Sequence, residues 1–193
     1  PLFLFNVTMQ NHSSYSDWAD YDNFSPDITV EGSDSKLLPA YLSLIRLSDS
    51  AIQNLVSYFE AQEEPTMIVF FGDHQPADSV VRPVWKLNGK DDADLTDEEE
   101  ALRYKVPFFI WATFDIEAES DLETSANYLA AKTLDAAGLP ESAYDNFLSQ
   151  LRTEVPVISA NHVTLSDGTF TTASKQKDLL YDYQTLQYYL LFD

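Results

Sequence analysis

The sequence contains no cysteine. Within these residues there is therefore no disulfide, no thiolate metal site and no thiol nucleophile. The compartment stays open, because Cys-free chains occur inside and outside cells. Positive charge is also scarce. Eleven Lys and Arg face 32 Asp and Glu, a formal net charge of −21. That balance argues against nucleic acid, whose phosphates need clustered Lys and Arg. It equally argues against docking on an anionic membrane through this surface. No run approaches 18 consecutive apolar residues, so no segment reads as a membrane span, and no signal peptide is visible. Several catalytic signatures are missing too: there is no G-x-S-x-G elbow, no Gly-rich phosphate loop and no H-E-x-x-H.

What is present is a core. The 193 residues are 45% apolar and 13% aromatic, too rich for a disordered chain. The length fits one domain, or one large piece of a bigger one. The chain starts at Pro1 and runs at once into Leu2-Phe3-Leu4-Phe5. Natural termini are usually looser, which predicts a piece of a longer polypeptide.

Hydrophobic periodicity divides the chain. Residues 2–9 are apolar and β-favouring and predict a buried strand. Residues 10–35 read as a long polar loop. From 36 to 62 apolar residues recur at three- and four-residue steps, which predicts a helix with Pro39 in its first turn. Thr66–Phe71 is a buried strand closed by Gly72. Strand, helix and strand together predict a βαβ unit in a parallel sheet. Residues 77–103 read as irregular, apart from a short helix opened by a Thr96/Glu99 capping box. Val106–Ala112 is a third apolar strand. Ser120 and Glu123 suggest a capping box for a helix over 124–137, stopped by Gly138. A helix over 142–154, a short extended piece over 155–161, a turn at 166–169 and an aromatic helix over 178–192 complete the chain. That last helix reads as core packing. No repeat or linker divides the chain, so it reads as one domain.

Chemistry concentrates at Gly72-Asp73-His74-Gln75-Pro76, directly after a predicted central strand. In open α/β sheets the ligand crevice lies beyond the carboxyl ends of the strands. Asp73 and His74 offer a hard oxygen and an imidazole nitrogen, a pair suited to a Zn- or Mn-type ion. A plain turn, with Asp73 capping a backbone group and His74 exposed, fits the local pattern as well. Beyond the first strand, His12 would face the same crevice, either binding a phosphate or sulfate oxygen and protonating a leaving group, or simply lying in a polar loop. His162 reads as structural or surface. The run at 91–100 has seven acidic residues in ten and lacks EF-hand spacing, so it reads as a solvated face. The sequons Asn6-Val7-Thr8 and Asn11-His12-Ser13 are discounted, the first because it falls in a predicted strand.

Six segments in succession carry a resemblance: FNVTMQNH, YLSLIRLSDSAIQNLVSYF, TMIVFFGDHQP, YKVPFFIWATFDI, NYLAAKTLDAAGLP and DYQTLQYYLLFD. Their order resembles sulfatase-like proteins of the lipoteichoic acid synthase type, phosphoglycerol transferases within the alkaline phosphatase superfamily. The resemblance implies an α/β/α sandwich with a mostly parallel central sheet. It implies one divalent metal, commonly Mn, with Mg, Zn or Ca as alternatives, held in part by Asp73 and His74. It assigns His12 to the substrate's phosphate or leaving group. The family's nucleophile and an acidic metal ligand lie upstream of the matched motifs and have no counterpart here. Residues 1–193 are thus expected to be the C-terminal portion of a catalytic domain, inactive alone, binding metal poorly and prone to self-association.

For the parent protein the resemblance implies a glycerophospholipid donor, an envelope polymer or glycan acceptor, and a location outside a bacterial membrane, anchored by helices absent here. A sulfuric ester hydrolase on the same scaffold is the alternative. A non-catalytic glycan-binding surface module is a further one, of a different class.

Overall fold

The computed structural model describes residues 2–15 and 24–192. The chain forms two compact units. One comprises Pro1–Thr66 and Phe71–Pro107, the other Met67–Phe70 and Phe108–Asp193.

In the first unit, α1 spans Leu37–Glu60, close to the predicted 36–62. Ser35 Oγ accepts the Leu38 N–H at 3.2 Å, satisfying one amide of the first turn. One face of α1 buries Leu38, Ala40 and Leu44 against Tyr15 and Val80. Each buried Leu contributes about 1.5–3 kcal/mol by removal from water. Ser43 is buried on that face and fully used. Its hydroxyl donates to Pro39 O at 2.8 Å and accepts the N–H groups of Asp27 and Ile28, each at 3.2 Å. One serine thereby fastens the polar loop onto α1, with the Arg46–Asp27 ion pair beside it.

Two expectations fail in this unit. Residues 2–9 form no strand, and Leu2 and Phe3 are 91% and 89% exposed. β propensity expresses itself only through pairing and burial, and this run meets neither among the described residues. The predicted βαβ unit over 2–71 is accordingly not formed. Residues 77–103, read as irregular, contain a ten-residue helix, α2, Asp78–Leu87. Pro83 sits inside it and removes one helical hydrogen bond. Burial of Val80 against α1 offsets part of that loss.

After α2, the short helix α3 spans Asp97–Ala101 with both halves of the capping box formed. Glu99 N–H donates to Thr96 Oγ1 at 3.3 Å and Thr96 N–H to Glu99 Oε2 at 3.1 Å. Four acidic residues occupy its first turn, where the helix dipole favours them. The acidic run lies on the surface, as expected, paired in part through Lys90–Glu99 and Arg82–Asp92.

The first sheet pairs β1, Met67–Phe71, with β2, Phe108–Ala112. Phe70 and Phe109 stack with ring centroids 5.3 Å apart. The Ser120/Glu123 capping box does not form, because helix starts later. A single 3₁₀ turn at Ala126–Tyr128 leads into α4, Leu129–Ala136. Ser125 Oγ accepts the Ile158 N–H at 2.8 Å instead of capping the helix. α4 ends at Gly138, whose φ of +63° suits a glycine. α5, Ala143–Glu154, is capped by Ser142 and Asp145. β3 (Val157–Ile158), β4 (Val163–Thr164) and β5 (Phe170–Thr171) form an antiparallel meander, with Ile158 opposite Val163 and Val163 opposite Thr171.

The closing helix α6, Tyr181–Phe192, only half fulfils its expected role. Tyr183 packs in the core with Leu180, while Tyr188, Tyr189, Leu190, Leu191 and Phe192 are exposed. Apolar residues surround this helix on all sides, and one face alone meets the core.

Tyr128 anchors the second core. Its ring is buried and its hydroxyl donates to Val155 O at 2.8 Å. Burial raises the phenol pKa above its ordinary value, and Tyr183 and Tyr144 are raised for the same first cause. A phenol whose folded pKa is raised contributes stability that is complete below its unfolded pKa of 10.0 and is lost as pH climbs toward the folded value. Stability should thus hold through neutral pH and fall above about pH 10. Tyr128→Phe should lower unfolding free energy by about 1–3 kcal/mol, since Val155 O loses its donor, and should flatten the alkaline fall. Denaturant melts between pH 7 and 11 check both effects.

Candidate functional site

The turn after β1 places Asp73 and His74 together. Gly72 is required by close approach: a Cβ there would lie 3.0 Å from the Val106 Cβ. The Gly72 N–H donates to Pro107 O at 3.0 Å. Asp73 Oδ1 then accepts the His74 N–H at 2.9 Å, an Asx-type contact that shapes the turn. The His74 Nδ1 lies 2.8 Å from Gln75 O. A carbonyl oxygen only accepts, so this contact assigns a proton to Nδ1, which in the neutral ring leaves the lone pair on Nε2. That Nε2 stands 3.5 Å from Asp73 Oδ2.

This donor set fits a divalent cation. It combines a carboxylate oxygen with an imidazole nitrogen whose other N–H is tied to a carbonyl, the usual arrangement behind a ligating His. Two bonds of about 2.1 Å to a shared ion span such a gap. Both side chains are open to solvent, His74 by 66% and Asp73 by 77%. Among the described residues, no cluster of three or more His, Asp or Glu forms a complete metal set. Asp73 and His74 would supply two ligands to such an ion.

His12 is displayed differently. Its loop is pinned to α1 on both sides. The Asn11 Nδ2 donates to Ser48 Oγ at 2.9 Å, and Tyr15 OH donates to Asn11 O at 2.7 Å. The buried Tyr15 ring meets Tyr41 edge-on at 5.5 Å. His12 itself is exposed, with Nδ1 2.7 Å from Ser13 O. By the same logic its Nε2 is the outward nitrogen, an acceptor when neutral and a donor when protonated. No hydrogen bond or ion pair joins His12 to Asp73 or His74 among the described residues, so the structure gathers the Asp–His pair but not all three. Asn11 was discounted as a sequon; its side chain is a tether.

His162 is structural, as expected. It is buried, stacks on Phe170 at 4.7 Å and meets Ser159 Oγ at 2.6 Å. Residue types alone did not reveal Arg103. Its Nη1 donates to Pro76 O at 3.1 Å and its Nη2 to Asp78 Oδ1 at 2.8 Å. Gln75 Nε2 adds a bond to Lys105 O.

Comparison with known proteins bears on the fold and the family. Streptococcus pyogenes phosphoglycerol transferase GacH, solved in complex with sn-glycerol-1-phosphate, superposes with a TM-score of 0.60 at 20% identity. The match covers 94% of this chain and 42% of that one. It shows the alkaline phosphatase-like α/β class expected from the motifs. A Rhizobium meliloti (strain 1021) protein named for cyclic beta-1,2-glucan modification is 23% identical over the whole chain. The chain spans 31% of that relative's length. A sequence model of the Sulfatase family matches residues 1–139, which include His12, Asp73 and His74. The chain belongs to the sulfatase family.

Proposed function

We propose that the chain is the C-terminal portion of the catalytic domain of a metal-dependent phosphoglycerol transferase of the lipoteichoic acid synthase type. The observation that carries this reading is the Asp73–His74 pair after β1, with the His74 Nδ1 held at Gln75 O and its Nε2 on the side of the Asp73 carboxylate. The structural likeness to a phosphoglycerol transferase supports the reaction class. The relative named for glucan modification supports a glycan acceptor. A glycerophospholipid headgroup is the donor in this reading, and the site works on the outer face of a bacterial membrane. Among the described residues no helix is long and apolar enough to cross a membrane.

Asp73 Oδ2 and His74 Nε2 would hold one divalent cation, with Mn as first choice. When bound, such an ion lowers the pKa of a hydroxyl nucleophile and offsets charge on phosphoryl oxygens. The nucleophile, a Thr by resemblance, and a further acidic ligand come from upstream of this chain. His12 binds a phosphoryl oxygen or passes a proton from Nε2 to the leaving glycerol oxygen. The pinned loop holds the imidazole outward for that purpose.

The name of the matching family favours a second reading, sulfate ester hydrolysis. Both chemistries use tetrahedral oxyanions of similar size. Turnover by the full-length protein discriminates them. Glycerophosphodiester cleavage with Mn, and no measurable p-nitrophenyl sulfate hydrolysis, is the expected result. The opposite preference would overturn the transferase reading in favour of the sulfatase. Failure on both substrates with Mn, Mg, Zn and Ca would favour a non-catalytic glycan-binding module.

A further inference from the structure

We infer that Arg103 is the positioning residue of the Asp73–His74 pair. The inference rests on the metal reading of that pair given above. Asp73 and His74 are mostly solvent-exposed, so little packing fixes their side chains. What fixes them is the backbone on either side, and nearly every tie comes from one segment, residues 103–107. Pro107 O receives the Gly72 N–H before the pair. Lys105 O receives the Gln75 amide just after it. Arg103 closes the turn with two bonds, to the Pro76 carbonyl and to the Asp78 carboxylate.

The chemistry at Arg103 is specific to a guanidinium. The two acceptors lie two residues apart, one a backbone oxygen and the other a carboxylate at the first position of α2. A planar fork reaches both at once, whereas a lysine ammonium is a point charge that favours one. Arg103 is also the better shielded partner, 25% exposed against 56% for Asp78. It thus joins the exit of the ligand turn to the start of a rigid helix. Because Gln75 O receives the His74 Nδ1, a shift of Gln75–Pro76 would release the imidazole orientation that leaves Nε2 free.

Arg82 provides the internal control. It too approaches Asp78, at 3.7 Å, but its closer partner is Asp92 at 2.7 Å, and no bond joins it to Pro76. Removing Arg82 deletes the same charge near Asp78 without opening the turn.

The test uses the full-length protein and Mn as probe. Mn affinity is read by electron paramagnetic resonance for wild type, Arg103→Ala, Arg103→Lys and Arg82→Ala. Amide exchange at residues 73–77 is measured in the metal-free protein, with melting temperature as a fold control. Arg103→Ala should weaken Mn binding about 10- to 100-fold, the range for losing an outer partner of a ligand. It should speed exchange at residues 73–77, and millimolar guanidinium should restore part of the affinity. Arg103→Lys, which keeps charge and stem, should still lose affinity. Arg82→Ala should stay within twofold of wild type. Tight Mn binding by wild type with unchanged affinity and exchange in Arg103→Ala would overturn the inference and leave the metal reading intact. An equal loss in Arg82→Ala would overturn it as well. Absence of Mn binding by wild type would refute the metal reading, and with it any role of Arg103 toward an ion.

Discussion

Asp73→Ala should remove the Mn-stimulated cleavage of a phosphodiester by the full-length protein, by about a thousandfold or more. A bound cation supplies several kcal/mol of transition-state stabilisation, and each 1.4 kcal/mol is tenfold in rate. The fold should barely respond. The Asp73 side chain is exposed and, among the described residues, bonds only to the adjacent His74, so the melting temperature should stay close to wild type. Asp73→Asn sharpens the experiment. Its amide oxygen still accepts the His74 N–H, so the turn survives while the charge is lost. Loss of turnover in both variants, at unchanged stability, assigns the effect to the ion. Retained turnover in Asp73→Asn would instead mean that Asp73 only shapes the turn.

The second large effect concerns His12. Replacing it by Ala should lower kcat by about 10²–10⁴, the usual worth of a positioned acid or base. The Mn affinity should be unchanged, because no bond ties His12 to Asp73 or His74 among the described residues. Loop collapse would not account for the loss, since Asn11, Tyr15 and Ser48 hold the backbone independently of the imidazole. The informative readout is the split between parameters. A fall in kcat with little change in KM assigns His12 to the transition state. A rise in KM alone would restrict it to ground-state binding of the phosphate.

The helices α1, α3 and α5 were legible because their cues are local. Apolar spacing, a first-turn Pro39 and the Thr96/Glu99 pair all act within a few residues. The strand at 67–71 and the Asp73–His74 turn were legible for the same reason. α2 was not, because Pro76 and Pro83 look like breakers in sequence. Pro76 in fact precedes the helix, and the cost of Pro83 is offset in part by the packing of Val80 on α1, a contact from a distant part of the chain. Residues 2–9 failed in the opposite sense. Their composition favours a strand, but a strand exists only with partners, which composition cannot supply. Part of the candidate site was hidden likewise. Arg103 lies 27 residues from Pro76, and no motif marks a bond of that reach. Asn11 looked like a loop polar group until Ser48 of α1 gave it a partner.

In the proposed site Asp73 and His74 ligate a divalent cation that serves phosphoryl transfer. Anomalous diffraction at the Mn absorption edge, from crystals of the full-length protein soaked with Mn, tests it most directly. One strong peak within about 2.3 Å of both the Asp73 carboxylate and the His74 Nε2 is expected, lost in Asp73→Ala. An active, Mn-loaded protein whose peak lies away from both residues would contradict it.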